Sequence, residues 1–436
     1  MSSIYTENLR IYNAEQFKLS VSEVGPTSIY LAVGRSYPWP NDAVPTQANS
    51  TVATSNEVWK NMIGAKLVSG NDIRHVVPRH DWTYGTIYTP YDELLPLYEP
   101  SADFYVVTSD WNVYKCLNNN NDQPSTVKPT QTITNTAIDE ADGYTWKYMY
   151  TVTAEERLRF TTGSYIPVRT LQTDNNSLQW QVQEAAIDGG IEAIKLTDPG
   201  SGYTTAPTIT IVGDGANANA VAVIDPSSNT VERITITNPG SGYTYASVSI
   251  VGVGSSAAGK AAISPPGGHG KDPIRELGGS QILINVRLNN TENGKMPTDN
   301  EFRQISLIQD PRIAVTGDLA TSVIYNQTMR LTTSPGSSNF VEDEQVYQGS
   351  SPGTATFRAI VNAWDSGNNI MKVTNVEGTP TADVIVGATS ATIRYVESIT
   401  NKELLDYSGN LLYVDNVTPI QRADDQTEDI KIVLKF

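Results

Sequence analysis

Apolar and polar residues alternate with a period of two along much of this chain. Residues 143–152 (GYTWKYMYTV) show it most clearly, and the pattern predicts a strand. Residues 29–33 (IYLAV) are a short apolar run stopped by Gly34. Residues 281–288 (QILINVRL), 302–308 (FRQISLI) and 411–414 (LLYV) read as further strands. Residues 103–116 (DFYVVTSDWNVYKC) read as a hairpin turning near Ser109-Asp110, and Val76 and Val77 run into Pro78. A last strand, 429–436 (DIKIVLKF), ties the C-terminus into a sheet. Two stretches depart from alternation. Residues 6–18 (TENLRIYNAEQFK) read as a helix. Residues 57–67 (EVWKNMIGAKL) carry apolar residues near helical spacing, with Asn56 placed to cap them.

Between 185 and 264 the chain repeats itself. Residues 194–204 (IKLTDPGSGYT) recur as 234–244 (ITITNPGSGYT), and the match then continues one residue out of step, with Ile209, Ile211 and Gly215 answered by Val248, Ile250 and Gly254. Each copy reads as strand, Pro-Gly turn, strand. Asp198-Pro199-Gly200 and Asn238-Pro239-Gly240 suit a type II turn, because proline presets φ and glycine supplies the positive φ that follows. Two copies are too few for a solenoid, so a small paired β domain is expected. Residues 322–397 hold a weaker symmetry, 347–349 and 354–358 resembling 385–387 and 390–394. The expected layout has five pieces: 1–184, the tandem repeat at 185–264, a loop-rich linker with two strands at 265–321, a second β insertion at 322–397, and a C-terminal segment at 398–436. The fold class is mainly β with a minor α content, built as antiparallel sandwich-like or barrel-like units with inserted β domains.

Composition narrows the function. The chain has 436 residues, enough for several domains, with 39% hydrophobic and 18% charged residues. Its net charge of −17 opposes binding to nucleic acid or to an anionic membrane surface. Cys116 is the only cysteine, which excludes an intrachain disulfide. The N-terminus has no apolar signal-like run and no stretch is long enough to span a bilayer, so a soluble protein made in a cytosol is expected.

Motifs that could carry chemistry fail on their own requirements. Residues 254–261 (GSSAAGKA) approach a phosphate-binding loop, but Ala261 replaces the hydroxyl residue and Pro265-Pro266 forbids the helix that must follow. Residues 349–353 (GSSPG) fit a nucleophile elbow, yet Pro352 has no N–H to offer an oxyanion. His75 and His80 are five apart around Pro78, the wrong spacing for a helical zinc pair. The acids Asp139, Glu140 and Asp142, and those at 424–429, read as solvated turns without the ligand spacing of a calcium loop. No catalytic, cofactor or metal residue is assigned. The suggestive feature is aromatic: Tyr37, Trp39, Trp82, Tyr84, Tyr88 and Tyr91 crowd two proline-rich stretches and are candidate protein-interface residues. The competing reading is a set of aromatics that clamp loops onto the core.

Five blocks resemble the gene-8-product family of baseplate wedge proteins from T-even-type contractile phages. They are 34–39 (GRSYPW); 77–82 (VPRHDW), where the family pattern has arginine in place of His80; 143–148 (GYTWKY); 302–306 (FRQIS); and a C-terminal set of Ser408-Gly409, Leu412-Tyr413, Asn416, Pro419-Ile420 and 425–428 (DQTE). They occur in family order and avoid both repeat segments. The resemblance implies a β-rich, non-enzymatic virion subunit that dimerises, assembles in the host cytoplasm, and contacts other wedge proteins and peripheral fibre-attachment proteins. Two alternatives remain open: a tail protein that contacts a receptor or carbohydrate, and a polysaccharide-degrading enzyme.

Overall fold

Strands far outnumber helices along the chain, and the helices sit where the alternation breaks. The computed structural model describes residues 4–22, 27–98 and 102–436. It has several antiparallel sheets and a closed six-stranded barrel, a mainly β architecture with few helices. The chain divides into two units assembled from separated segments: residues 1–16, 74–283 and 433–436 in the first, 17–73 and 284–432 in the second. The division at 73/74 therefore falls inside the stretch that the sequence reads as one N-terminal piece.

The first unit is organised on a four-stranded sheet of β1 (Tyr105–Val107), β2 (Asn112–Asn119), β3 (Ile138–Asp139) and β4 (Tyr144–Thr151), in the order β1-β2-β4-β3. The β1–β2 hairpin turns through Trp111, which adopts a φ of 65°. Period two by itself describes a strand buried on one face. Strand β4 is buried on both, at every position but Thr151. Met149 and Tyr150 join one core cluster with Val113, Ile166 and Ile274. Tyr144, Trp146 and Tyr148 join another with Tyr88, Tyr114 and Val182. Val182 belongs to a helix, Leu178–Ala185, that the alternation does not announce. A second such helix, Ala154–Phe160, is closed by a reciprocal cap between Thr153 and Glu156, a Thr-x-x-Glu signature present in the sequence. The stretch expected to be a loop-rich linker is largely interior: His269, Ile274, Glu276 and Leu277 are all buried, and Pro273–Glu276 is a turn of helix.

The repeat forms six strands: β5 (Ile191–Asp198), β6 (Thr208–Gly213) and β7 (Ala216–Asp225) from the first copy, β8 (Thr230–Ser241), β9 (Ala246–Val251) and β10 (Ala258–Ile263) from the second. The copies exchange partners. β5 pairs with β10, β7 pairs with β8, and β6 pairs with β9. Thr210 lies opposite Ser249, its own counterpart, so a local two-fold axis passes through that pair. The recurring tyrosines explain the motif. Tyr203 and Tyr243 are buried, and each lies over the glycine of the other copy. A Cβ on Gly254 would stand 2.5 Å from the Tyr203 ring and 2.6 Å from the Ser201 carbonyl. A Cβ on Gly215 would meet Tyr243 and the Ser241 carbonyl in the same way. Gly200 and Gly240 have φ of 63° and 60°, the positive values their turns need.

The second unit holds a five-stranded sheet ordered Ile324–Asn326, Met62–Leu67, Ile29–Gly34, Glu301–Gln309, Asn410–Gln421. Here the helix expected over 57–67 is corrected. A helix runs Val52–Asn61, capped by Thr51 rather than Asn56, and Met62–Leu67 is a strand. Helical spacing continues through Met62 and Ile63, but Gly64 weakens a helix there, and strand pairing with Ile29–Gly34 on one side and Ile324–Asn326 on the other wins. The barrel comprises β11 (Met329–Thr333), β12 (Gln345–Gln348), β13 (Phe357–Asp365), β14 (Ile370–Gly378), β15 (Val384–Gly387) and β16 (Ile393–Thr400), in the closed order β11-β14-β13-β12-β15-β16. Its two three-strand halves also exchange partners: the first strands of the halves pair, and so do the second. Leu331, Val346, Phe357, Met371 and Val373 fill the interior.

Candidate functional site

The six aromatic candidates do not form one surface. In the second unit, Gly34 passes so close to the Asn61 carbonyl that no Cβ fits, and this sets up the following turn. Arg35 then lies over Tyr37 and Trp39 at 4.1 and 3.6 Å from their ring centres and donates to Glu57 Oε1 at 2.9 Å. Trp39 is 8% exposed and its indole N–H donates to the Val417 carbonyl at 3.2 Å. In the first unit, Trp82 donates to Ser125 Oγ at 3.1 Å and is half-buried. Tyr88 is buried edge-on against Tyr144 and Trp146. Tyr91 is buried edge-on against His269. Only Tyr84, 75% exposed, stands free. Trp39, Tyr88 and Tyr91 are therefore corrected from interface candidates to loop clamps. Large aromatic bodies gain most from burial, and backbone or side-chain partners satisfy the Trp39 N–H and the Tyr88 hydroxyl.

The sequence reading missed a buried charge cluster under Tyr91. Lys115 on β2 and Lys147 on β4 are direct cross-strand partners, and both are buried. Side-by-side lysines repel, so each needs its own anion. Lys147 Nζ reaches Glu192 Oε2, on β5, at 2.7 Å. Lys115 Nζ reaches Glu276 Oε2 and His269 Nδ1, each at 3.0 Å, and lies 4.0 Å from the centre of the Tyr91 ring. Burial alone would push the Glu276 carboxyl up. The Lys115 ammonium and the Gly270 N–H outweigh it and hold the carboxyl at about 2. Burial, reinforced by Lys115, lowers His269, so its ring is neutral and its Nδ1 accepts from the ammonium. With those three partners Lys115 acts as a structural cation rather than a free amine. The signal was present: lysine sits between aromatic or apolar neighbours in both Tyr114-Lys115-Cys116 and Trp146-Lys147-Tyr148.

Above this cluster opens a cavity of about 640 Å³. One wall is the 91–98 loop; the other comes from the repeat, at Asp188-Gly189, Gly242–Thr244 and Ile263–Pro266. Asp92, one of the lining residues, pairs with Lys260 of β10 at 2.6 Å. Among the described residues, no three of His, Cys, Asp and Glu converge as metal ligands, and no helix is long and apolar enough to cross a membrane. The chain matches no family model and no curated protein.

Proposed function

We propose that this chain is a structural subunit of a contractile phage tail baseplate, a wedge protein similar to the gene-8-product family. In this reading it acts by binding: as a dimer, to neighbouring wedge proteins and to peripheral fibre-attachment proteins, in the virion. One observation carries the reading. The five ordered blocks fall on strands outside the insertions or on the loops next to those strands, and neither the exchanged repeat nor the barrel contains any of them. Residues 34–39 form the Arg35 stack. Residues 143–148 lead into β4, and 302–306 lie in Glu301–Gln309. Within that strand Arg303 pairs with Asp42 at 3.0 Å. The C-terminal blocks lie along Asn410–Gln421 and at the start of Thr427–Lys435, where Glu428 accepts from buried Arg422 at 3.1 Å. A family resemblance concentrated on buried polar anchors is what a shared framework with variable insertions produces, since buried charges are tolerated only with partners in place.

The test is immunogold labelling of purified virions with antibodies to this chain. Label at the tail end distal to the head is expected. Label on the head, or chain found only in host extract and absent from washed particles, would reject the reading.

A further inference from the structure

The cavity above Lys115 has a use that a scaffold does not require. We propose that it is a carbohydrate site, taking a neutral or amino-substituted sugar unit of a glycan. Its volume, about 640 Å³, falls within the range of roughly 300–1,000 Å³ typical of small-molecule sites. Tyr91 is 9% exposed and lines the cavity, yet its hydroxyl makes no hydrogen bond to any described residue. That hydroxyl is reached by solvent rather than sealed in the core, so it is a donor available to something that enters. The ring itself is fixed from two sides, by His269 edge-on at 4.7 Å and by Lys115 at 4.0 Å. The hydroxyl is thus held in place before any ligand arrives.

The rest of the lining fits the same chemistry. Tyr98 is half exposed, and its own hydroxyl is engaged by the Arg275 carbonyl at 3.0 Å, which leaves its ring as a fixed platform. A pyranose presents an apolar C–H face to such a ring and a fringe of hydroxyl donors around it. Acceptors for that fringe stand on the rim. Glu93 uses one oxygen on the Ile263 N–H, and Asp188 uses one on the Gly267 N–H; the second oxygen of each is open. Asp92 and Glu276 are already neutralised, by Lys260 and Lys115. The uncompensated charge at the mouth is therefore negative, which disfavours uronic acids and phosphosugars and favours neutral or cationic ones. This site does not depend on the baseplate reading.

The test uses the full chain and four probes in isothermal titration calorimetry: maltotriose, N,N′-diacetylchitobiose, glucosamine and trigalacturonic acid. Saturable binding of at least one of the first three is expected, with none for the acidic trimer. Tyr91→Phe removes only the hydroxyl and is expected to weaken the bound sugar about tenfold, the effect of one lost hydrogen bond. Glu93→Gln, on an exposed residue, keeps the fold and is expected to weaken glucosamine more than maltotriose. Absence of saturable binding by all three non-acidic probes, preference for trigalacturonic acid, or affinity unchanged in both Tyr91→Phe and Glu93→Gln would overturn the proposal.

Discussion

Lys115 and Glu276 show how much a single buried pair can control. Both side chains are almost wholly removed from solvent. Deleting one partner of such a pair leaves a charge without compensation and costs about 3–5 kcal/mol. Glu276→Gln is therefore expected to lower unfolding stability by that amount at pH 7, measured by urea titration. The pH dependence follows from the carboxyl at about 2. Its unfolded value is about 4.3, so the folded group is the stronger acid. The stability it contributes is whole above about pH 4.3 and is lost as pH falls toward 2. The gap between wild type and Glu276→Gln should narrow between pH 5 and pH 3. A gap that stays constant over that range would show that the carboxylate's charge is not what stabilises the cluster.

At the scale of elements, the repeat is held by its exchange of strands rather than by either copy alone. Each tyrosine of the recurring Gly-Tyr pair lies over a glycine of the other copy, so the two contacts should behave alike. Gly215→Ala and Gly254→Ala each force a methyl group against a buried ring and a carbonyl, and are expected to cost about 1–3 kcal/mol by overpacking. Gly163→Ala, where a Cβ meets nothing within 4 Å, is the control and should change little. Thermal melts of the three variants check this. Unequal costs at Gly215 and Gly254 would argue that the local two-fold is not matched energetically.

At the scale of the whole molecule, the chain is two units, each drawn from separated segments, with the exchanged repeat in one and the barrel in the other. The proposed wedge role requires self-association. Sedimentation velocity of the purified chain is expected to give a dimer that persists on dilution to about micromolar concentration, the range of a specific interface. A monomer at every concentration would remove dimerisation from the reading. Of the aromatic candidates, Tyr84 is the most exposed, and half-buried Tyr37 and Trp82 are the others that can contribute to such an interface without leaving a core.

By itself the sequence determined the local structure: the alternation that makes strands, the Pro-Gly turns, the repeat and its one-residue slip, and the ordered blocks behind the family resemblance. These are encoded within a few residues of one another, where period, turn chemistry and steric limits act directly. Only the tertiary structure decided which strands pair, and so revealed the exchange between β5–β7 and β8–β10. It also turned Met62–Leu67 from helix to strand, drew Trp39, Tyr88 and Tyr91 inside, and set Lys115 against Glu276 across 161 positions of chain. Pairing and burial depend on partners distant in sequence. An aromatic beside a proline reads the same whether its ring ends at an interface or in a core, and a lysine in a strand reads as solvated until a carboxylate arrives from elsewhere.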